Sequence, residues 1–254
     1  MSPKMIENYY IKRKVKLMAQ FEKYLHIANK ILSKKIEDFK EEKLSKKMRE
    51  EFESLIPEIQ YIGGTKNSFT SLLVENVKIL AFIRVLESEG WSYLKIGEFT
   101  YELYETIHKI KKKKLEEIGK NPAEQPFQEV YLSYLKNLSE FSQKTEYPDD
   151  YIMKFIEGDG ETFDYGYQIT QCPIHKFFKK MGAEKYAPFI CLSDFAEANV
   201  NGFGFTRTQT LGYRDPICDH RYKKIGTTPR GWPPDTLEEW KMDKDGNFKQ
   251  KMIK

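Results

Sequence analysis

Apolar residues recur at spacings of three and four from Met18 through Phe21, Leu25, Ala28, Leu32, Ile36 and Phe39, and the same spacing continues through Leu44, Met48, Phe52 and Leu55. Charged residues fill the intervals. This is the period of an amphipathic helix, and it predicts one long helix that ends at Pro57, with a loop following at Gly63 and Gly64. A second helix is expected from about Ser68 to Glu89, where Phe69, Leu72, Leu73, Val77, Leu80, Ile83 and Leu86 form a broad stripe and Gly90 closes the run. Phe99, Leu103, Ile107 and Ile110 carry a third. After Asn121-Pro122 a fourth takes Phe127, Val130, Tyr131, Tyr134, Leu135, Leu138 and Phe141. Residues 1–146 thus read as a helical region.

At Tyr147-Pro148-Asp149-Asp150 the period changes. Phe163, Tyr165, Tyr167 and Ile169 alternate with Asp164, Gly166, Gln168 and Thr170, the period of a half-buried strand. The strand leads into Cys172, and Pro173 suits the first turn of a short helix that Gly182 ends. Another short helix is expected over Ile190 to Ala198. Gly202 and Gly204 then precede a strand-like run from Phe203 to Leu211, a turn from Gly212 to Pro216, and a last strand from Ile217 to Tyr222. Residues 147–225 read as an α+β region that carries the site. Residues 226–254 read as a Pro/Gly-rich loop and a tail with a hairpin turn at Asp245-Gly246. The expected class is α+β: an N-terminal helical half followed by a small mixed α/β part, packed as one compact unit.

Composition narrows the partners. The 42 basic and 38 acidic residues leave a net charge of +4 and are interspersed, and the run Lys111 to Lys114 ends a helical pattern, where cations complement the dipole. No nucleic-acid partner is expected. No apolar run reaches the roughly 18 residues that span a bilayer, and the N-terminus lacks an apolar signal core. A cytoplasmic protein without a membrane partner follows as the expectation. The helical half is the candidate surface for a homodimer.

The chemistry concentrates in Tyr165 to Tyr222, which holds all three cysteines and two of the four histidines. His26 and His108 lie on helical patterns and suit structural or surface roles. Cys172 and His175 stand three apart at a helix start, where exposed N–H groups favour a thiolate. Cys191 and Asp194 repeat that spacing. Cys218 and His220 stand two apart on a strand and share a face, with Asp219 and Arg221 on the other. One functional reading is a cysteine nucleophile with a histidine base and an orienting aspartate. Another is a divalent metal, the one cofactor candidate, with Cys172, His175, Cys191 and Cys218 as ligands, although the close CxxC pairs of structural zinc are missing. A third is that the thiols are simply core.

The segments CPIHKFFKKMG, PFICLSDFAEA and RTQTLGYRDPICDHRY, in this order, resemble the L-2-amino-thiazoline-4-carboxylic acid hydrolase family. The resemblance is strongest over about 60 residues and extends more weakly to Gly97–Tyr104. It implies hydrolytic opening of a cyclic amidine, a small-molecule substrate, to a carbamoyl-cysteine. The chain departs from the family at His220, where an aromatic residue is usual; a different substrate or a supplementary acid/base group would account for it. On this reading a thiolate of Cys172 or Cys218 adds to the ring carbon between nitrogen and sulfur. His175 or His220 moves protons, Asp194 holds the imidazole or the substrate ammonium, and Arg207 pairs with the substrate carboxylate, with Thr208 and Asp219 as further binding candidates. The alternatives from other classes are a non-catalytic sensor that binds a small molecule or metal on the same fold, and a helical interaction module with buried thiols.

Overall fold

The computed structural model describes residues 9–144 and 146–248. In chain order its main elements are α1 (Lys14–Lys35), α2 (Glu41–Leu55), α3 (Phe69–Ser88), α4 (Tyr93–Glu117), α5 (Glu129–Ser142), β1 (Ile152–Glu157), β2 (Tyr165–Gln171), α6 (Pro173–Lys180), α7 (Ala187–Cys191), α8 (Ser193–Asn201), β3 (Gly204–Thr206) and β4 (Cys218–Lys223). The class is α+β, a helical half followed by a small antiparallel sheet.

The first stripe folds as two helices where one was expected. Ile36 is extended (φ −118°, ψ 119°) and the chain turns back through Glu37 and Asp38. A single rod over Met18–Leu55 would be about 55 Å long and could not bury its apolar face on a domain of this size. Folded back, Phe21 stacks on Phe52 at 4.6 Å and on Phe82 of α3 at 5.0 Å. Helix α3 forms the centre of the helical half and is buried along most of its length. Helix α4 starts where the Ser92 hydroxyl accepts the Lys95 N–H at 3.4 Å.

The sheet order is β1-β2-β4-β3, antiparallel throughout. Strand β1 went unread because IMKFIE lacks clean alternation, and helix α5 covers it. The Ser142 hydroxyl accepts the Met153 N–H at 3.0 Å, and the Ser139 hydroxyl accepts the Phe155 N–H at 2.9 Å, so serines satisfy an open sheet edge. Strand β3 is three residues long, against the nine expected, because Asp219 takes the N–H groups of Thr208 and Gln209 away from any ladder. The expected helix over Ile190–Ala198 is instead the pair α7 and α8, which begins earlier and ends later.

The 226–234 loop crosses back over the helices, with the Gly231 N–H donating to the Tyr101 hydroxyl at 3.2 Å. The tail turns at Gly246 (φ +82°), and Met242 bridges Phe248, so the Asp245-Gly246 turn stands. Leu237, Trp240 and Met242 join the same buried cluster as the helices and the sheet. Among the described residues, no helix is long and apolar enough to cross a membrane.

Candidate functional site

Pairing between β2 and β4 sets the floor of the site. The register places Ile169 opposite Cys218 and Tyr167 opposite His220, so the thiol and the imidazole of β4 face the helices. A cavity of about 290 Å³ lies above them, bounded by α3, α5 and the short helices α6 to α8. Cys172, His175, Cys191, Asp194, Arg207, Cys218 and His220 all line it. Thr208 and Asp219 do not: Asp219 lies on the opposite face of β4 and accepts from the Thr208 N–H at 2.9 Å and its hydroxyl at 2.6 Å, a clamp that holds the 207–210 turn.

The three thiols are free and sit in two groups. Cys172 occupies the turn from β2 into α6, with Pro173 next. Burial pushes its thiol up to about 11, while the His175 and Ile174 N–H groups and the Tyr151 hydroxyl draw it the other way. The spacing of three therefore presents the backbone N–H of His175 to the thiol. The His175 imidazole faces elsewhere, with Nε2 3.4 Å from Glu184 Oε1 and without hydrogen-bond alignment. Burial lowers its pKa, and Glu184 opposes the shift. Cys191 and Cys218 meet at Thr210, whose hydroxyl lies 3.3 Å from each sulfur, and the Leu211 N–H donates to Cys218 at 3.3 Å. Burial pushes Cys191 up to about 12 and Cys218 up to about 11, against the pull of the Arg207 guanidinium. At neutral pH all three thiols hold their protons.

Arg207 is the hub of the charged wall. Its Nε and Nη2 donate to the two oxygens of Glu239 at 2.6 and 2.8 Å, a bidentate pair, and Nη2 also donates to the Cys191 carbonyl at 2.9 Å. Its Nη1 donates to Asp194 Oδ2 at 2.6 Å and lies 3.2 Å from His220 Nε2. These contacts occupy the donors expected to bind a substrate carboxylate, so the geometry gives Arg207 a different task. It anchors Asp194. Burial opposes ionisation of Asp194, and His220 together with Arg207 overcomes it, holding the carboxyl below its ordinary range.

His220 stacks on Tyr167 at 4.5 Å between centroids, and its Nε2 lies 3.3 Å from Asp194 Oδ2. Its Nδ1 is buried without a hydrogen-bond partner among the described residues. With the proton on Nε2, donated to Asp194, Nδ1 keeps an open lone pair that can accept a proton. With Arg207 donating to Nε2, the proton sits on Nδ1 and can be given away. The arrangement supports either half of acid–base chemistry.

Three contributors escaped the sequence reading. Glu239 is fully buried although it follows Glu238 in a charged tail, and only the flanking Leu237 and Trp240 hinted at burial. Thr210 sits in a polar TQT run with nothing to mark it. Tyr151 precedes the unread strand β1. Among the described residues, no three His, Cys, Asp or Glu side chains are grouped so as to hold a metal ion, so Cys172, His175, Cys191 and Cys218 do not assemble as the expected ligand set.

Residues 72–222 match the family model described as L-2-amino-thiazoline-4-carboxylic acid hydrolase. The matched span runs from Leu72 at the cavity wall to Tyr222 in β4 and leaves Glu239 outside. No curated protein and no solved structure matches the chain.

Proposed function

The chain belongs to the L-2-amino-thiazoline-4-carboxylic acid hydrolase family, and from that premise we propose that it opens a cyclic amidine of the 2-amino-thiazoline-4-carboxylate kind at a carbon–nitrogen bond, using a cysteine-centred site. The observation that carries this reading is the unpartnered Nδ1 of His220, buried in a cavity with three thiols while Asp194 and Arg207 hold the other ring nitrogen. A base oriented by a carboxylate in the same cavity as a thiol supplies the groups that nucleophilic catalysis needs.

Cys172 is the nucleophile in this scheme: burial keeps it a thiol at rest, and the N–H groups at the start of α6 oppose that shift and are placed to stabilise the thiolate once a base has taken its proton. His220 takes the thiol proton, and the thiolate adds to the ring carbon between nitrogen and sulfur. The ring C–N bond then breaks as the nitrogen receives a proton from His220, leaving an imidodithiocarbonate, the carbon held between the enzyme sulfur and the former ring sulfur with the exocyclic nitrogen as its iminium. Water, deprotonated by His220, adds to that carbon and the enzyme thiolate departs, giving S-carbamoyl-cysteine. The anionic Asp194 favours the amidinium form of the substrate and orients the imidazole. A second reading, a sensor that binds such a molecule without turning it over, draws on the three protonated thiols.

The test is mass-resolved turnover of L-2-amino-thiazoline-4-carboxylate by the purified protein, before and after chelation. Turnover that survives chelation and falls by about 10³-fold or more in Cys172→Ser is expected. Full activity in Cys172→Ser transfers the nucleophile to Cys191 or Cys218. A wild-type protein that binds the substrate without opening it supports the sensor.

A further inference from the structure

A second cavity, of about 460 Å³, lies on a different face of α3, between that helix and α1. Its inner wall carries Lys78, which is 3% exposed. The ammonium lies over the Tyr24 ring, 4.6 Å from its centroid, and among the described residues it makes no hydrogen bond and no ion pair. Buried ammonium groups are ordinarily paired, because desolvation costs more than an aromatic face returns. Arg13, Lys16 and Lys23 stand around the same cavity, and Glu75 is its one acidic residue among the described residues. Glu75 is shared between Lys111, at 4.0 Å, and the Tyr24 hydroxyl, which hydrogen-bonds to it. Leu17, Val74 and the ring of Tyr10 supply an apolar lining.

We propose that this cavity binds a small organic carboxylate, with its anionic end paired to Lys78 and its aromatic or aliphatic body against Leu17, Val74 and the tyrosines. The site is separate from the thiol cavity and stands whether or not the hydrolytic reading does. One ammonium at depth matches a monoanion, whereas a second negative charge would lie unpaired in the same apolar wall. The cations at the mouth draw the ligand in and are screened by salt. The resting state of Lys78 agrees with a missing partner: burial draws its pKa down to about 8, with Glu75 opposing, and a bound carboxylate reverses that draw.

The experiment uses the full chain with benzoate and its uncharged isostere benzamide, titrated calorimetrically. Saturable binding of benzoate is expected, with benzamide weaker by about tenfold or more and benzoate weakened to the same degree in Lys78→Met, which loses the charge and keeps the packing. Acetylation of Lys78 by acetic anhydride, followed by peptide mass spectrometry, reads the same contact without a variant: benzoate should slow it. Absence of saturable benzoate binding, equal affinity in Lys78→Met, or Lys78 acetylation unaffected by saturating benzoate each overturns the proposal.

Discussion

Burial fixes the protonation of His108. The residue sits on α4 and is 8% exposed; burial, reinforced by Lys111 and opposed by Asp194, lowers its pKa to about 4. The unfolded chain takes up a proton near pH 6.5 that the folded chain refuses until pH 4. Stability therefore falls as pH drops through that window, by up to about 3 kcal/mol from this group. Denaturant midpoints at pH 7.5 and pH 5 should show a smaller loss for His108→Leu than for the wild type, and equal losses would refute the assignment. Helical spacing left His108 with either a structural or a surface role, and burial makes it structural. The spacing of two put Cys218 and His220 on one face of a strand, where the cavity has them both. Spacing says where a side chain points and not what it meets, so it read His175 as an imidazole beside Cys172, and it left Arg207 free to take a ligand.

Local preference and packing oppose each other at Gly97. An alanine in the middle of α4 would gain about 1 kcal/mol of helix propensity. Here an added Cβ would lie 2.5 Å from the Phe189 ring and 2.7 Å from Trp232, both rigid, which costs about 1–3 kcal/mol. Gly97→Ala should lower the denaturant midpoint. It should also reduce turnover, because Phe189 belongs to α7 two residues before Cys191; a raised midpoint would show that the rings give way. Helices α3, α4 and α5 were legible because each stripe is bounded by glycine or proline and fits one packed face. The break between α1 and α2 was not, since Glu37-Asp38 is an ordinary pair of helix-surface residues and the reversal is set by Phe21 meeting Phe52 and Phe82. Strand β1 was invisible because IMKFIE lacks clean alternation, and serines of the preceding helix, not a sequence pattern of its own, satisfy its edge.

The whole molecule meets at Arg207. Its ion pair with Glu239 joins β3 to the tail, outside the matched span, and both side chains are almost fully buried, at 1% and 0% exposure. Trp240 beside it stacks on Phe189 at 6.0 Å, so the tail also buttresses α7. No local pattern announces such a contact, because a buried carboxylate looks like any other glutamate until the chain has folded around its partner. Removing Glu239 leaves the buried guanidinium with Asp194 as its one carboxylate, and Glu239→Gln should cost about 2–3 kcal/mol in a denaturation experiment. The same variant tests function. Arg207 holds Asp194, and Asp194 holds His220, so kcat on the thiazoline should fall with KM little changed and the acid limb of the pH profile displaced. Replacing the pair together, Arg207→Met with Glu239→Leu, should restore part of the stability, because no charge of that pair is left unpaired and Asp194 keeps His220 as its partner. Turnover should stay low in that double variant. Wild-type turnover there would make the Glu239–Arg207 pair a structural contact alone and leave Asp194 sufficient to orient His220.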